Sequence, residues 1–307
     1  MTHKHPYSLA FLAMAVLFCL SCERIEDPFP PRAEFDLTLF PGEPEDYPFP
    51  EFETSTNTVK NVLLEDFTGH KCVPCFAAAA LAKDLEENNT PRVIVASIHA
   101  SSTGVFQSLD SEHPTDFTTE AGDAYVAEMY PTLGGDNPLG TVNRVLDSQT
   151  YGVPAVWQVT PFWTNSVEQE LATGLQADIQ VEINYYSDTD GLFVHARTDF
   201  FAELQGTFHV IHYLIRKEVV SPQSSPSGVV EDFEHHNVLT NNLNGTWGEV
   251  VSTGIAAPGF NSEIGLSFQL PSPAADPTFS PENLAVISFV IDRESFQILQ
   301  STITNIQ

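Results

Sequence analysis

The residues best equipped for chemistry lie in Glu65-Asp66-Phe67-Thr68-Gly69-His70-Lys71-Cys72-Val73-Pro74-Cys75. An apolar run, Val62-Leu63-Leu64, precedes them, and an Ala-rich stretch from Phe76 to Leu85 follows. The pattern predicts a strand, a short loop, and a helix opened by Cys-x-x-Cys. Unpaired N–H groups and the positive dipole end at a helix N-terminus stabilise a thiolate, the form of cysteine that attacks disulfides. His70 and Lys71, directly before Cys72, are expected to add positive potential.

The cysteine count sharpens this reading. The chain begins with His3 and Lys4, runs apolar from Leu9 to Leu20 and reaches Ser21-Cys22. The apolar run is too short to span a bilayer, and a small residue precedes the break, as in an export signal. We expect residues 1–21 to be a lipoprotein signal peptide and Cys22 to be the lipidated residue. The alternatives are an ordinary signal cut nearby or an anchor left uncleaved. Of the 4 Cys, Cys19 then leaves with the signal and Cys22 carries lipid, so Cys72 and Cys75 remain as one possible disulfide. Half a zinc site is the competing use, but no second Cys pair supplies the other ligands.

The dithiol stretch resembles thioredoxin, with Asp66-Phe67 at the matching distance before Cys72 and Pro74 in the second spacer position. The resemblance implies that Cys72 attacks, Cys75 resolves, and Asp66 is a buried carboxylate that moves a proton to or from Cys75. It also implies a cis-proline opposite the dithiol, for which Pro138 is the candidate and Pro131 the rival. Thioredoxin has Trp before its first Cys where this chain has Lys71, so Lys71 would face the partner and alter the redox poise.

The elements that must hold these residues follow in order. Residues 22–56 are rich in Pro and acid and predict an extended tether, with one short strand from Ala33 to Phe40. Residues 57–175 alternate strand and helix patterns: strands over 58–67, 91–99 and 139–145, helices over 75–88, 119–130 and 163–175. That predicts a mixed α/β domain, thioredoxin-like by the resemblance. From residue 176 to 307 short alternating strands and Pro- and Gly-rich turns predict an all-β domain, an immunoglobulin-like sandwich. Its first hairpin turns at Ser187-Asp188-Thr189-Asp190-Gly191.

Other constellations are weaker. His99 ends the strand beside the one feeding the dithiol, so it is a candidate to tune the thiolate or accept a proton. The His235-His236 pair would point to opposite faces of a strand and cannot easily share a metal ion. Asp188 to Gly191 is better explained by that hairpin turn than as the start of a calcium loop. No metal or cofactor is expected, and no phosphate loop or serine elbow occurs. A net charge of −29 repels phosphate backbones and argues against nucleic acid. Contact with the membrane is expected only through the N-terminal lipid.

Four segments together resemble the Omp28-related outer-membrane lipoproteins of Gram-negative bacteria. They are Val62 to Cys72, Ser97-Ile98-His99-Ala100, Val142-Asn143-Arg144, and Asp232-Phe233-Glu234-His235-His236-Asn237-Val238-Leu239. The resemblance implies an outer-membrane lipoprotein with a thioredoxin-like domain and a β-rich domain. Two functions follow. One is thiol–disulfide exchange with protein thiols or disulfides through Cys72-Val73-Pro74-Cys75. The other is a non-catalytic surface or periplasmic lipoprotein that binds a protein partner and keeps Cys72–Cys75 as a structural disulfide.

Overall fold

The computed structural model of the protein describes residues 35–129 and 136–307. The expected signal peptide, Cys22 and Pro131 lie outside the described residues. Strand β1 (Val62–Thr68) is followed by helix α1 (Cys75–Asn88), β2 (Val93–His99), α2 (Glu120–Met129), β3 (Leu139–Val142) and α3 (Trp163–Leu171). β1 pairs in parallel with β2 and antiparallel with β3. Alternation along β1 sends Leu63 and Phe67 to one face, and Val62 and Leu64 to the other, where Ala78, Ala82, Trp163 and Val167 cover them. Both faces are therefore buried, which is why the run is apolar throughout.

Ten strands follow: β4 (Ala177–Tyr186), β5 (Gly191–Phe200), β6 (Leu204–Val220), β7 (Gln223–Ser225), β8 (Gly228–Val230), β9 (Glu234–Asn242), β10 (Glu249–Ala256), β11 (Asn261–Gln269), β12 (Leu284–Asp292) and β13 (Ile298–Asn305). Among the described residues, the main sheet has eight strands in the order β13-β12-β6-β9-β2-β1-β3, with β10 also paired to β6. The expected border at residues 175–176 therefore does not separate two sheets. A mixed α/β portion and a β-rich region share one. Strand β9 was not expected from the sequence, and it makes the join, through a single parallel pair, Ser97 with Val238.

β4, β5 and β11 form a second sheet. It stacks on β6 and β12: Val210, Leu214, Val286 and Val290 face it, while Ile211, Tyr213, Ile287 and Phe289 face the core under α2. The segment expected as a free tether is docked here over residues 35–56. Tyr47 is buried, its hydroxyl lies 2.7 Å from His195 Nε2, and Phe35 packs on Phe193. Aromatic side chains within the Pro-rich run hold it to the sheet. Where a strand was expected there is one turn of 3-10 helix, Leu37–Leu39, capped by Asp36.

The thin β2–β9 join is reinforced by a buried ion pair. Asn143 and Arg144 have φ of 47° and 49°, and this left-handed turn directs Arg144 into the core. Its guanidinium donates to both Glu65 oxygens at 2.7 Å and to the Tyr213 hydroxyl at 2.8 Å. Thr141 also donates to Glu65. Burial alone would raise the Glu65 pKa, but Arg144 and these hydrogen bonds hold it below the usual carboxylate range. Removing one member of a buried pair strands the other charge. Arg144→Ala should lower stability by about 3–5 kcal/mol in denaturant unfolding. Replacing Glu65 and Arg144 together by leucine should recover much of that loss. Equal loss in both variants would show that the pair does not carry the join.

Candidate functional site: a covered dithiol beside an unpaired carboxylate

β1 ends at Thr68, and the chain crosses to α1 through Gly69-His70-Lys71. Gly69 is required by close approach, since a Cβ there would lie 2.7 Å from both the Phe106 side chain and its carbonyl. The Lys71 amide donates to that same carbonyl. Cys72 and Cys75 form a disulfide with S–S 1.97 Å and Cα–Cα 5.3 Å. The Cys75 amide donates to the Cys72 carbonyl as α1 begins, so the pair sits on the helix N-terminus as expected.

The cationic surroundings expected from His70 and Lys71 are not present. Lys71 Nζ is 2.7 Å from Asp110 and donates to Ser108, so its charge is compensated. His70 is buried, its Nε2 contacts the Ser108 carbonyl, and desolvation lowers its pKa. Two acceptors in the loop after β2 thus absorb what the adjacent sequence offered. Lys71 does not stand free to meet a partner.

Asp66 lies on the α1 face of β1, opposite in direction to Glu65. It is 1% exposed, neither carboxylate oxygen has a hydrogen-bond partner in the protein, and burial pushes its pKa up to about 7. With Cys75, His99, His235, Gln223 and Phe233 it lines a cavity of about 30 Å³, room for a water molecule or two. His99 is also buried with both ring nitrogens unpartnered, and desolvation followed by His235, His70 and Arg216 holds its pKa well below the usual value. Its ring packs on Phe117 at 4.5 Å and on His235 at 5.5 Å. His235 is held neutral mainly by burial, with its pKa near 4.

Asn137-Pro138 is a cis peptide. Because Leu139 pairs with Phe67, the antiparallel register brings Pro138 beside Thr68, where the chain turns towards the dithiol. Gln107 ties the two together, donating to the Thr68 carbonyl at 2.6 Å and to Asn137 Oδ1 at 3.1 Å.

Cys72, Cys75, Asp66 and His99 are therefore brought together, with Pro138 at the adjoining edge. Sequence reasoning missed Gln223, which donates to the Cys72 carbonyl at 3.1 Å. It sits in Pro222-Gln223-Ser224-Ser225-Pro226, which reads as an ordinary turn. Among the described residues no group of three or more His, Cys, Asp or Glu side chains is placed to hold a metal ion. No described helix is long and apolar enough to cross a membrane.

Residues 132–307 match the family model of the outer membrane protein Omp28. The chain belongs to this family. That places it at the outer membrane. The match begins past the dithiol, so it covers Val142-Asn143-Arg144 and Asp232 to Leu239 but not Cys72 and Cys75. No curated protein sequence matches. Among solved structures, HBP35 of Porphyromonas gingivalis has a TM-score of 0.59 at 16% identity, over 82% of this chain and 77% of that one. A domain of the outer membrane lipoprotein Omp28 from the same organism is 18% identical over 43% of this chain and 89% of that one, at a TM-score of 0.31.

The Asp66 carboxyl gives a testable sign. A carboxyl whose pKa is raised by folding binds its proton more tightly in the native state. Stability then falls as pH rises from about 4 to about 7 and stays reduced above that. Asp66→Asn, neutral throughout, should therefore raise Tm at pH 8 and change it little at pH 4. The gain at pH 8 should be on the order of a few kcal/mol. An equal effect at both pH values would mean the carboxylate is not the destabilising group.

Proposed function

We propose that this outer-membrane protein is a lipoprotein attached through Cys22, whose thioredoxin-like portion performs thiol–disulfide exchange at Cys72–Cys75. The thioredoxin-like reading is supported by the dithiol at the start of α1, the cis Asn137-Pro138 bond beside Thr68, and Asp66 on the strand that leads to them. The β-rich region is read as a sandwich of the β4-β5-β11 sheet on β6 and β12. The observation that carries the redox reading is Asp66. A buried carboxyl without a partner opposes folding, and such groups mark sites where proton transfer is needed.

In the structure the pair is oxidised, as a disulfide. A thiolate of a partner dithiol attacks Cys72 Sγ, a mixed disulfide forms, and the Cys72–Cys75 bond breaks. Cys75 leaves as a thiolate and takes the proton of the Asp66 carboxyl. The partner's second thiol, deprotonated, then attacks its own sulfur in the mixed disulfide and releases Cys72. Two electrons pass from the partner to this chain, and the partner becomes a disulfide. The reverse sequence oxidises this chain's dithiol.

One observation favours a second reading, a partner-binding lipoprotein with a structural disulfide. Cys72 is 0% and Cys75 1% exposed, so neither sulfur is open to attack in this conformation. The reduction potential decides between the two. Exchange predicts a value of roughly −120 to −270 mV in thiol/disulfide buffers, read by alkylation and mass. A potential below about −300 mV identifies a structural bond and ends the redox reading.

A further inference from the structure

Both cysteines are buried, and the β7–β8 hairpin is hydrogen-bonded to the loop that carries Cys72. The Ser224 amide donates to the His70 carbonyl at 2.8 Å, a backbone bond between the hairpin and the dithiol loop. Gln223 Nε2 donates to the Cys72 carbonyl at 3.1 Å and reaches the Gly69 carbonyl at 3.4 Å. Ser224 Oγ lies 3.1 Å from His113 Nε2. An extended strand of this chain thus occupies the ground beside Cys72 where an attacking polypeptide would have to lie.

The way the hairpin is held differs from the rest of the fold. β7 and β8 pair only with each other, as a separate two-stranded sheet. Their buried residues are Gln223 and Ser225, both polar; Pro226, Ser227 and Gly228 are exposed, and Val229 and Val230 are partly so. At Val230 the hairpin borders an open groove of about 340 Å³, lined also by Phe233 and by Phe76, Ala79 and Ala80 of α1. No apolar side chain of the hairpin is buried, so a few neutral hydrogen bonds hold it down. Each is worth little net, and such segments open far more readily than packed strands.

We propose that the β7–β8 hairpin is a built-in competitor for the dithiol: it must leave before exchange begins, and the partner that replaces it is an extended polypeptide strand carrying a thiol pair. This rests on the redox reading above for its second half, whereas the covering itself is a property of the fold. A partner strand would take over the His70 carbonyl as acceptor and supply the attacking sulfur next to Cys72. Small reductants would depend on spontaneous opening. The same β-rich region that the family model matches would thereby restrict the dithiol to partners able to lift the hairpin.

The test is the kinetics of disulfide reduction in the full-length protein. Dithiothreitol over a wide concentration range should give a rate that saturates, the plateau being the rate of hairpin opening. Gln223→Ala and, separately, Ser224→Pro should raise that plateau several-fold, since each removes hairpin contacts to the dithiol loop. A ten-residue peptide with a Cys-x-x-Cys pair should reduce the wild type faster than the dithiothreitol plateau allows, and should gain less than dithiothreitol from either variant. Rates that stay linear in dithiothreitol and are unchanged in both variants would overturn the gate. A peptide rate that saturates at the same plateau as dithiothreitol would overturn the strand-shaped partner. A potential below about −300 mV with a saturating rate would sink the redox function and leave the gate intact, so the two failures are distinguishable.

Discussion

Glu65 and Asp66 are consecutive carboxylates on one buried strand, and strand alternation forces them to opposite faces. Everything else about the site depends on how differently those faces treat a charge. On one face Glu65 is met by Arg144, Thr141 and Tyr213 and stays ionised. On the other, Asp66 meets Cys75, His99 and a small cavity, and its proton is held to about pH 7. The first carboxylate ties the α/β portion to β6. The second is left without a hydrogen-bond partner in the protein.

The environment of the dithiol is set by burial more than by charge. Neighbouring cations in sequence, His70 and Lys71, are neutralised by desolvation and by Asp110. His99 and His235 are likewise kept neutral by the apolar wall around Phe117. What remains acting on the pair is the helix terminus and a carboxyl with a pKa near neutrality.

The β-rich region is part of the site and not an appendage. β9 brings His235 against His99, and the hairpin before it brings Gln223 onto the Cys72 carbonyl. Those residues are some 150 positions from the dithiol in sequence. The same region takes up residues 35–56, with Tyr47 set between Phe193 and His195. A chain that is strongly acidic overall thus still gathers four imidazoles, His70, His99, His113 and His235, at one buried place.

Local signals determined a good deal. The apolar run at β1, the Ala-rich helix after Cys75 and the alternating hairpin over residues 177–200 are legible because each follows from periodicity and from turn residues nearby. So is the pairing of Cys72 with Cys75, by elimination among 4 Cys. Tertiary structure decided the rest. β9 reads as a polar, histidine-rich stretch, and only its two neighbours in the sheet make it a strand. Arg144 gives no sign of burial until its left-handed turn and Glu65 are seen together. Pro-rich residues 35–56 look free because their binding site lies on β5, far away in sequence. Local patterning fixes which residues can share a face. Which faces meet, and whether a dithiol is open or covered, depends on contacts between distant segments that periodicity does not encode.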